Sequence, residues 1–200
     1  MQSQFIEMFG NEQKQMRLED LCKHFGDGDW IESKDQSPEG IHLIQTGNVG
    51  NGEYEDKGDK ARYISEETFE RLGCTEVFAG DILISRLPDP IGRACIVPEM
   101  PKSITAVDCT IVRLRDCMLP SFFVNFTKTP AYTSQIDSFT TGSTRKRVSR
   151  ANLGSIMVPV PRIEEQKRFV QVAEQSDKSK FELTQAISRI DDMIKALMQG

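Results

Sequence analysis

The sequence is poor in the features that mark membrane and secreted proteins. Hydrophobic residues make up 38% of its 200 positions, and they never run for the 18 or so consecutive positions that a membrane span needs. The first ten residues contain no basic stretch followed by an apolar one, as a secretory signal would. We therefore expect a cytoplasmic protein with no membrane partner.

Cysteine is present in a number and spacing that argue against disulfides and zinc. The five cysteines are an odd number, and no two of them form a Cys-x-x-Cys pair. In a chain without a secretory signal this predicts reduced thiols.

Motifs of catalysis and of nucleotide binding are also absent. The chain has no GxxxxGK[ST] loop, no GxGxxG after a strand and no GxSxG turn, and neither His24 nor His42 has the spacing of a zinc ligand. One enzymatic alternative remains, a small metal-dependent nuclease that uses Asp89, Glu99 and Lys102. Its spacing is one residue too long, and prolines flank it. We expect a non-catalytic chain without a metal or a cofactor of its own.

Charge is distributed unevenly along the chain. Residues 1–85 carry 8 Lys/Arg and 18 Asp/Glu, residues 86–162 carry 11 and 5, and residues 163–200 carry 6 and 7, which gives balances of −10, +6 and −1. Such asymmetry permits a basic face for a polyanion, but surface charge also varies along chains without that function. The pattern allows DNA binding and does not establish it.

The order of short apolar segments predicts an α+β domain with many short strands. We expect strands at 41–46, 82–85, 93–97, 104–107 and 109–114. Short helices are predicted at 17–24, 65–72 and 121–127, the last beginning after Pro120 and burying a phenylalanine stripe. We assign residues 1–160 to this domain and residues 161–200 to a long helix.

A heptad pattern predicts that the C-terminal helix pairs with a second helix. Apolar residues recur at spacings of four and three, interrupted only by Ser176 and Lys180, which we interpret as residues that set coiled-coil register. The helix is about 50 Å long at 1.5 Å per residue. The residues predicted to form the dimer are Phe169, Ala173, Leu183, Ile187, Ile190, Ile194 and Leu197. The alternative is that the stripe packs on its own domain.

Three polar segments have the chemistry to hold DNA. Arginine and lysine neutralise phosphates, and arginine and amide side chains can read base edges in the major groove. The alternatives are a solvated basic loop for the last segment, and ordinary turns or tight connections for the others. The candidate residues are Gln45, Thr46 and Asn48 in the first segment, Ser85, Arg86 and Arg93 in the second, and Ser143, Thr144, Arg145, Lys146, Arg147 and Arg150 in the third.

With these segments in view, the chain resembles the specificity subunit of type I restriction-modification systems. The resemblance covers essentially residues 17–200, and its motifs are specific in this order although each is weak alone. They are IHLIQTGN at 41–48, GDILISR at 80–86, IGRA at 91–94, TAVD at 105–108, GST at 142–144, VSRANL at 148–153, IMVPVP at 156–161 and EEQ at 164–166.

The resemblance implies a role in DNA recognition without catalysis. Family members typically carry two target recognition domains, each followed by a long helix. The two helices pair antiparallel, and each domain reads half of a split DNA target. This chain looks like half of such a subunit, either a natural half or the second half of a longer one. The implied helix partner of a natural half is a second copy of the chain.

The resemblance also implies protein partners. One is an adenine-N6 methyltransferase subunit, which itself takes S-adenosylmethionine, and the other is a motor-nuclease restriction subunit. A protein whose helix only joins partners, without binding DNA, remains the non-enzymatic alternative.

Overall fold

The fold combines small β-sheets with α-helices, the last of which is long. The structure, a computed structural model, describes residues 2–12, 14–142 and 146–198, with the backbone alone at residues 2, 191, 192 and 196–198. The strands are β1 (Gln15–Arg17), β2 (Cys22–Asp27), β3 (Gln36–Ser37), β4 (Ile41–Ile44), β5 (Tyr63–Ile64), β6 (Ile82–Ser85), β7 (Ala94–Ile96), β8 (Ser103–Thr105), β9 (Cys109–Leu114) and β10 (Met157–Pro159). The helices are α1 (Gln2–Phe9), α2 (Glu66–Leu72), α3 (Pro120–Phe126), α4 (Pro130–Phe139), α5 (Arg150–Gly154) and α6 (Ile163–Met198).

The strands of the described residues form three sheets. One is antiparallel in the order β2-β9-β6-β7, and a second has the order β3-β5-β4-β8, in which β4 and β8 are parallel. The third pairs β1 with β10 antiparallel. The predicted α+β class, with many short strands and a long terminal helix, is confirmed. No helix in the described ranges is long and apolar enough to cross a bilayer.

Helix ends and turns follow their local chemistry as the sequence predicts. Helix α2 begins after Ser65, whose hydroxyl accepts a hydrogen bond from the Thr68 N–H, and it ends at Gly73 in the left-handed conformation (φ 63°). At the start of β6, the buried carboxylate of Asp81 accepts hydrogen bonds from the Phe78 N–H and from two nitrogens of Arg113. These contacts hold the turn that leads into the strand.

The predicted helix at 17–24 is wrong. This stretch contains the end of β1, a 3-10 turn at Glu19–Leu21 and the start of β2. Leu18, Leu21 and Cys22 are all buried, as their spacing of three and four predicts. A single 3-10 turn between two strands produces the same spacing of three and four as a helix, and pairing of β2 with β9 decides between them.

The long helix α6 has two differently packed parts. Phe169 and Ala173 are 0% and 2% exposed in the core of the chain's own domain, where Phe169 contacts the rings of Phe5, Phe9 and Phe122. The prediction that these two residues face a partner helix is therefore corrected. The first turns of the helix thus belong to the domain core. The predicted boundary between domain and helix at residue 160 stays a prediction.

Beyond Ala173 the helix leaves the domain. Residues 174–198, about 37 Å long at 1.5 Å per residue, are exposed wherever their side chains are described, apart from a half-buried Ser176. Ser176 and Lys180 thus lie where the helix separates from the domain, which explains the polar break in the stripe. The exposed apolar residues that follow are Phe181, Leu183, Ile187, Ile190, Met193 and Ile194. The side chain of Leu197 lies outside the described residues.

Burial divides the five free cysteines into one exposed and four buried thiols. Burial raises the pKa of Cys22 and of Cys95 to about 12, and that of Cys74 and of Cys109 to about 11, whereas Cys117 is exposed. Because the thiolate is the reacting species, we expect one fast thiol per folded chain with a chromogenic disulfide reagent and five after denaturation. Cys117→Ser removes the fast phase. More than one fast thiol in the folded protein contradicts this arrangement.

Candidate nucleic-acid interface

Several strand ends meet at one edge of the molecule, which we call the loop face. Strands β2 and β6 both run antiparallel to β9, with Asp27 opposite Thr110 and Ser85 opposite Cys109. Strand β8 runs parallel to β4 and turns back into β9 through a hydrogen bond from the Cys109 N–H to the Ala106 carbonyl oxygen. The carboxyl ends of four strands therefore converge. The loop face comprises residues 27–30, 45–48, 86–93, 106–108, 141–142 and 146–150.

The two described ends of the basic segment pair with each other beside this face. Thr141 and Arg147 exchange two backbone hydrogen bonds of 3.0 Å, and the Val148 N–H donates to the carbonyl oxygen of Arg86 at 3.3 Å. The side chain of Val148 is fully buried. These contacts attach residues 146–148 to the end of β6 and leave Lys146 and Arg147 exposed.

Arg93 connects the first two predicted segments. Its Nε donates to the carbonyl oxygen of Val49 at 2.6 Å and its Nη2 to that of Thr46 at 2.8 Å. Its Nη1 donates to the carbonyl oxygens of Leu87 and Pro90 at 2.9 and 3.0 Å. The guanidinium thus fixes the 45–49 turn to the 86–93 loop.

Two arginines share one carboxylate at the centre of the loop face. Arg86, only 4% exposed, donates from Nη2 to the carbonyl oxygen of Val107 at 2.7 Å, and its Nε lies 3.5 Å from Asp27 Oδ1. Arg150 Nη1 lies 3.7 Å from Asp27 Oδ2. Within the described residues, the buried Nε of Arg86 has no hydrogen-bond partner. Asp27 is therefore the countercharge on which Arg86 depends.

Four predicted DNA contacts are corrected, because three of these side chains are buried and the guanidinium of the fourth, Arg93, is hydrogen-bonded within the chain. Ser85 and Asn48 are 0% and 3% exposed. The Ser85 hydroxyl donates to the Leu87 carbonyl oxygen, and the Asn48 amide donates to the Glu55 carbonyl oxygen while it accepts from the Gln45 N–H. Together with Arg86 and Arg93, these side chains hold the backbone of the loops in place through hydrogen bonds.

The remaining candidates are accessible or lie outside the described residues. Gln45 and Thr46 are half-buried. The side chains of Arg147 and Arg150 are 51% and 52% exposed, and Lys146 is exposed as well. DNA contact by these five residues stays a prediction. Ser143, Thr144 and Arg145 lie outside the described residues.

Three residues of the loop face are not predicted from the sequence. Trp30, the single tryptophan of the chain, is 71% exposed and lies in the loop after β2, close to Glu32, whose pKa is lowered mainly by Lys34. Asp27 and Asp108 are the other two, and they lie beside the exposed arginines. A lone tryptophan within a polar loop is a signal in the sequence, but its exposure depends on how the loop packs.

The structure does not assemble the residues of the nuclease alternative. Asp89 lies in the loop between β6 and β7, whereas Glu99 follows the other end of β7. Lys102 pairs with Glu66 and lies 3.8 Å above the Phe69 ring. Within the described ranges, no cluster of three or more His, Cys, Asp and Glu side chains could hold a metal ion.

The chain matches a known protein family over a range that includes both the loop face and most of the long helix. A family model described as the type I restriction modification DNA specificity domain matches residues 11–190. The chain belongs to this family. No curated protein sequence matches this chain at a significant level.

Solved structures share the fold of this specificity domain. A chain from a study of complex assembly and conformational transition of the type I R-M system is 19% identical, with a TM-score of 0.74, over 98% of this chain and 48% of that one. The HsdS subunit from Thermoanaerobacter tengcongensis is 17% identical, with a TM-score of 0.68, over 92% and 44%. The S subunit from M. genitalium is 13% identical, with a TM-score of 0.53, over 82% and 39%. The chain spans less than half the length of each.

Proposed function

We propose that this chain is the non-catalytic, sequence-reading subunit of a type I restriction-modification complex. In this role it reads one half of a split DNA target and directs an adenine-N6 methyltransferase subunit and a motor-nuclease subunit to it. The observation that carries the proposal is the specificity-domain match over residues 11–190, which includes the loop face and most of α6. S-adenosylmethionine belongs to the methyltransferase subunit in this scheme.

The loop face supports this role by its side-chain chemistry. Lys146, Arg147 and Arg150 offer three exposed cations to the phosphate backbone, and such contacts position a protein on DNA without reading its sequence. Gln45 at the end of β4 can hydrogen-bond adenine edges, and the exposed Trp30 ring can stack on an unpaired or distorted base. Cations and base-reading groups thus lie on one surface.

Helix α6 supports pairing of two copies. Leu183, Ile187, Ile190 and Ile194 recur at spacings of four and three and are 49–62% exposed in the single chain, the pattern of one face of a coiled coil. Two copies joined by these residues present two recognition domains related by a two-fold axis. A two-fold dimer reads a target whose halves repeat in inverted order.

A map of N6-methyladenine tests the proposal directly. The genome of a strain that expresses the methyltransferase subunit is mapped with the gene for this chain intact, deleted, and restored. We expect one split motif to lose methylation on deletion and to regain it on restoration. A palindromic motif supports the homodimer, whereas an asymmetric one indicates pairing with a different recognition domain. Unchanged methylation in the deletion strain overturns the proposed function.

A protein that joins partners only through its helix is the second candidate, favoured by the exposed apolar side chains of α6. It predicts no binding of the purified chain to duplex DNA. Sequence-independent affinity that falls steeply as salt rises, because counterions are released from phosphates, excludes it.

A further inference from the structure

The loop face is close to neutral, which is unusual for a surface that holds a polyanion. Among its described residues, five are cationic and four are anionic. The cations are Arg86, Arg93, Lys146, Arg147 and Arg150, and the anions are Asp27, Asp29, Asp89 and Asp108. DNA-binding surfaces are usually much more positive than this, so the carboxylates need an explanation.

Two of these carboxylates lie beside the cations that are exposed to DNA. Arg147 Nη2 lies 3.8 Å from Asp108 Oδ1, and Arg150 Nη1 lies 3.7 Å from Asp27 Oδ2. The aspartate side chains are 34% and 26% exposed. A phosphate that reaches either arginine therefore comes within a few ångström of a carboxylate, well inside the ~8 Å over which charges are felt at physiological salt.

Asp27 and Asp108 make different contacts within the fold. Asp27 is the countercharge of the buried Arg86 and also accepts from the Thr110 hydroxyl at 3.3 Å. The side chain of Asp108 has one described ion pair, with Arg147, and the residue directly precedes β9 in the turn at 106–109. Asp108 can thus be changed without leaving a buried charge unpaired.

We propose that Asp108 is a specificity-determining residue, which pairs with Arg147 in the DNA-free protein and lowers its affinity for the phosphate backbone of any sequence. The inference rests on the proposed DNA-reading function. Phosphate contacts supply nearly all non-specific binding, whereas base contacts distinguish one sequence from another. A carboxylate beside a phosphate-binding arginine weakens the first contribution and leaves the second. Complexes held by phosphate contacts alone therefore dissociate at protein concentrations at which a complex that also has base contacts stays bound.

The test compares matched charge changes at the two ends of β9. Asp108→Asn removes the charge on the loop face. Asp116→Asn removes an exposed carboxylate, paired with Lys23, beyond the opposite end of the strand, ~20 Å away. Affinities are measured with the full chain, alone and with its methyltransferase subunit, by anisotropy of a labelled duplex over a salt series. One duplex has an unrelated sequence and one carries the methylated motif.

We expect Asp108→Asn to raise the affinity for the unrelated duplex about three- to tenfold, the effect of removing one like charge near a phosphate at an exposed site. Its affinity for the motif duplex rises by a similar factor, so the unrelated duplex becomes bound at protein concentrations at which the unaltered chain binds only the motif. Asp116→Asn changes either affinity less than twofold. Arg147→Ala weakens binding, and adding Asp108→Asn to it has a smaller effect than in the unaltered chain, because the ion pair has already been removed.

The outcomes separate this inference from the proposed function. If the unaltered chain shows no salt-dependent DNA binding, either alone or with its methyltransferase subunit, the proposed function and the inference fail together. If the unaltered chain binds DNA and Asp108→Asn behaves as Asp116→Asn does, only the inference is overturned. It is likewise overturned if Asp108→Asn keeps its full effect without Arg147. Thermal unfolding of each variant checks that the fold is intact.

Discussion

Replacing Ile187 by aspartate is expected to break self-association of the chain and to raise the dimer Kd at least ~100-fold. Ile187 is 52% exposed in the single chain and lies in the middle of the exposed apolar stripe of α6. In a paired helix the substitution buries one carboxylate from each chain in an apolar contact. An unpaired buried charge costs several kcal/mol, and each 1.4 kcal/mol changes Kd tenfold.

The mass of the unaltered and altered proteins in solution, measured by sedimentation over a range of concentrations, decides the matter. Gln185→Asp is the matched control, because it adds the same charge to an exposed position two residues away, on the opposite side of the helix. We expect the control to remain dimeric. A dimer that survives Ile187→Asp shows that the stripe is not the pairing surface, and a monomeric unaltered chain shows that it does not pair two copies.

Replacing Phe169 by alanine is expected to lower the free energy of unfolding by about 3–5 kcal/mol, the usual cost of truncating a buried phenylalanine. The Phe169 ring is fully buried, with its centroid 5.1 Å from that of Phe5 and 5.8 Å from that of Phe122. The substitution leaves a cavity between α1, α3 and the first turns of α6. Each kcal/mol lowers Tm by about 2–4 °C in a chain of this size.

Chemical denaturation measures this effect, with Val172→Ala as the control. Val172 lies three residues further along the helix and is 43% exposed, so its truncation should cost no more than about 0.5 kcal/mol. Phe169→Ala should leave dimer formation intact under conditions where the protein is folded. If it instead dissociates the dimer at unchanged stability, Phe169 belongs to the pairing surface, as the heptad pattern first indicated.

Phe169 and Ile187 belong to one apolar stripe that is continuous in the sequence, but the two residues lie in different surroundings. The spacing of four and three runs from Phe169 to Ile194 without a change of phase, and periodicity alone cannot say which surface covers each apolar side chain. The domain packs against Phe169 and Ala173, and no part of the described chain covers Ile187. The polar Ser176 and Lys180 mark the change, a signal that the sequence contained but that we interpreted as coiled-coil register.

The loop face shows a similar division. Its segments were predicted from their residue types, and β-sheet pairing brings them to one edge. Within each segment the residue type did not distinguish a DNA contact from a structural tie. Arg93 and Arg147 are both arginines in polar loops, yet Arg93 gives its donors to four carbonyl oxygens and Arg147 is half exposed.

The class of fold, five of the ten strands, the long helix and, through ordered motifs, the family can be predicted from the sequence. Each of these depends on local spacing, turn chemistry and residue order, which the chain carries in one dimension. The sequence does not show which apolar residues of α6 are core, which arginines are buried, or that Asp27, Asp108 and Trp30 share the loop face. Those properties depend on contacts between segments up to a hundred or more residues apart, such as Arg150 with Asp27, and local patterns hold no information about such distances.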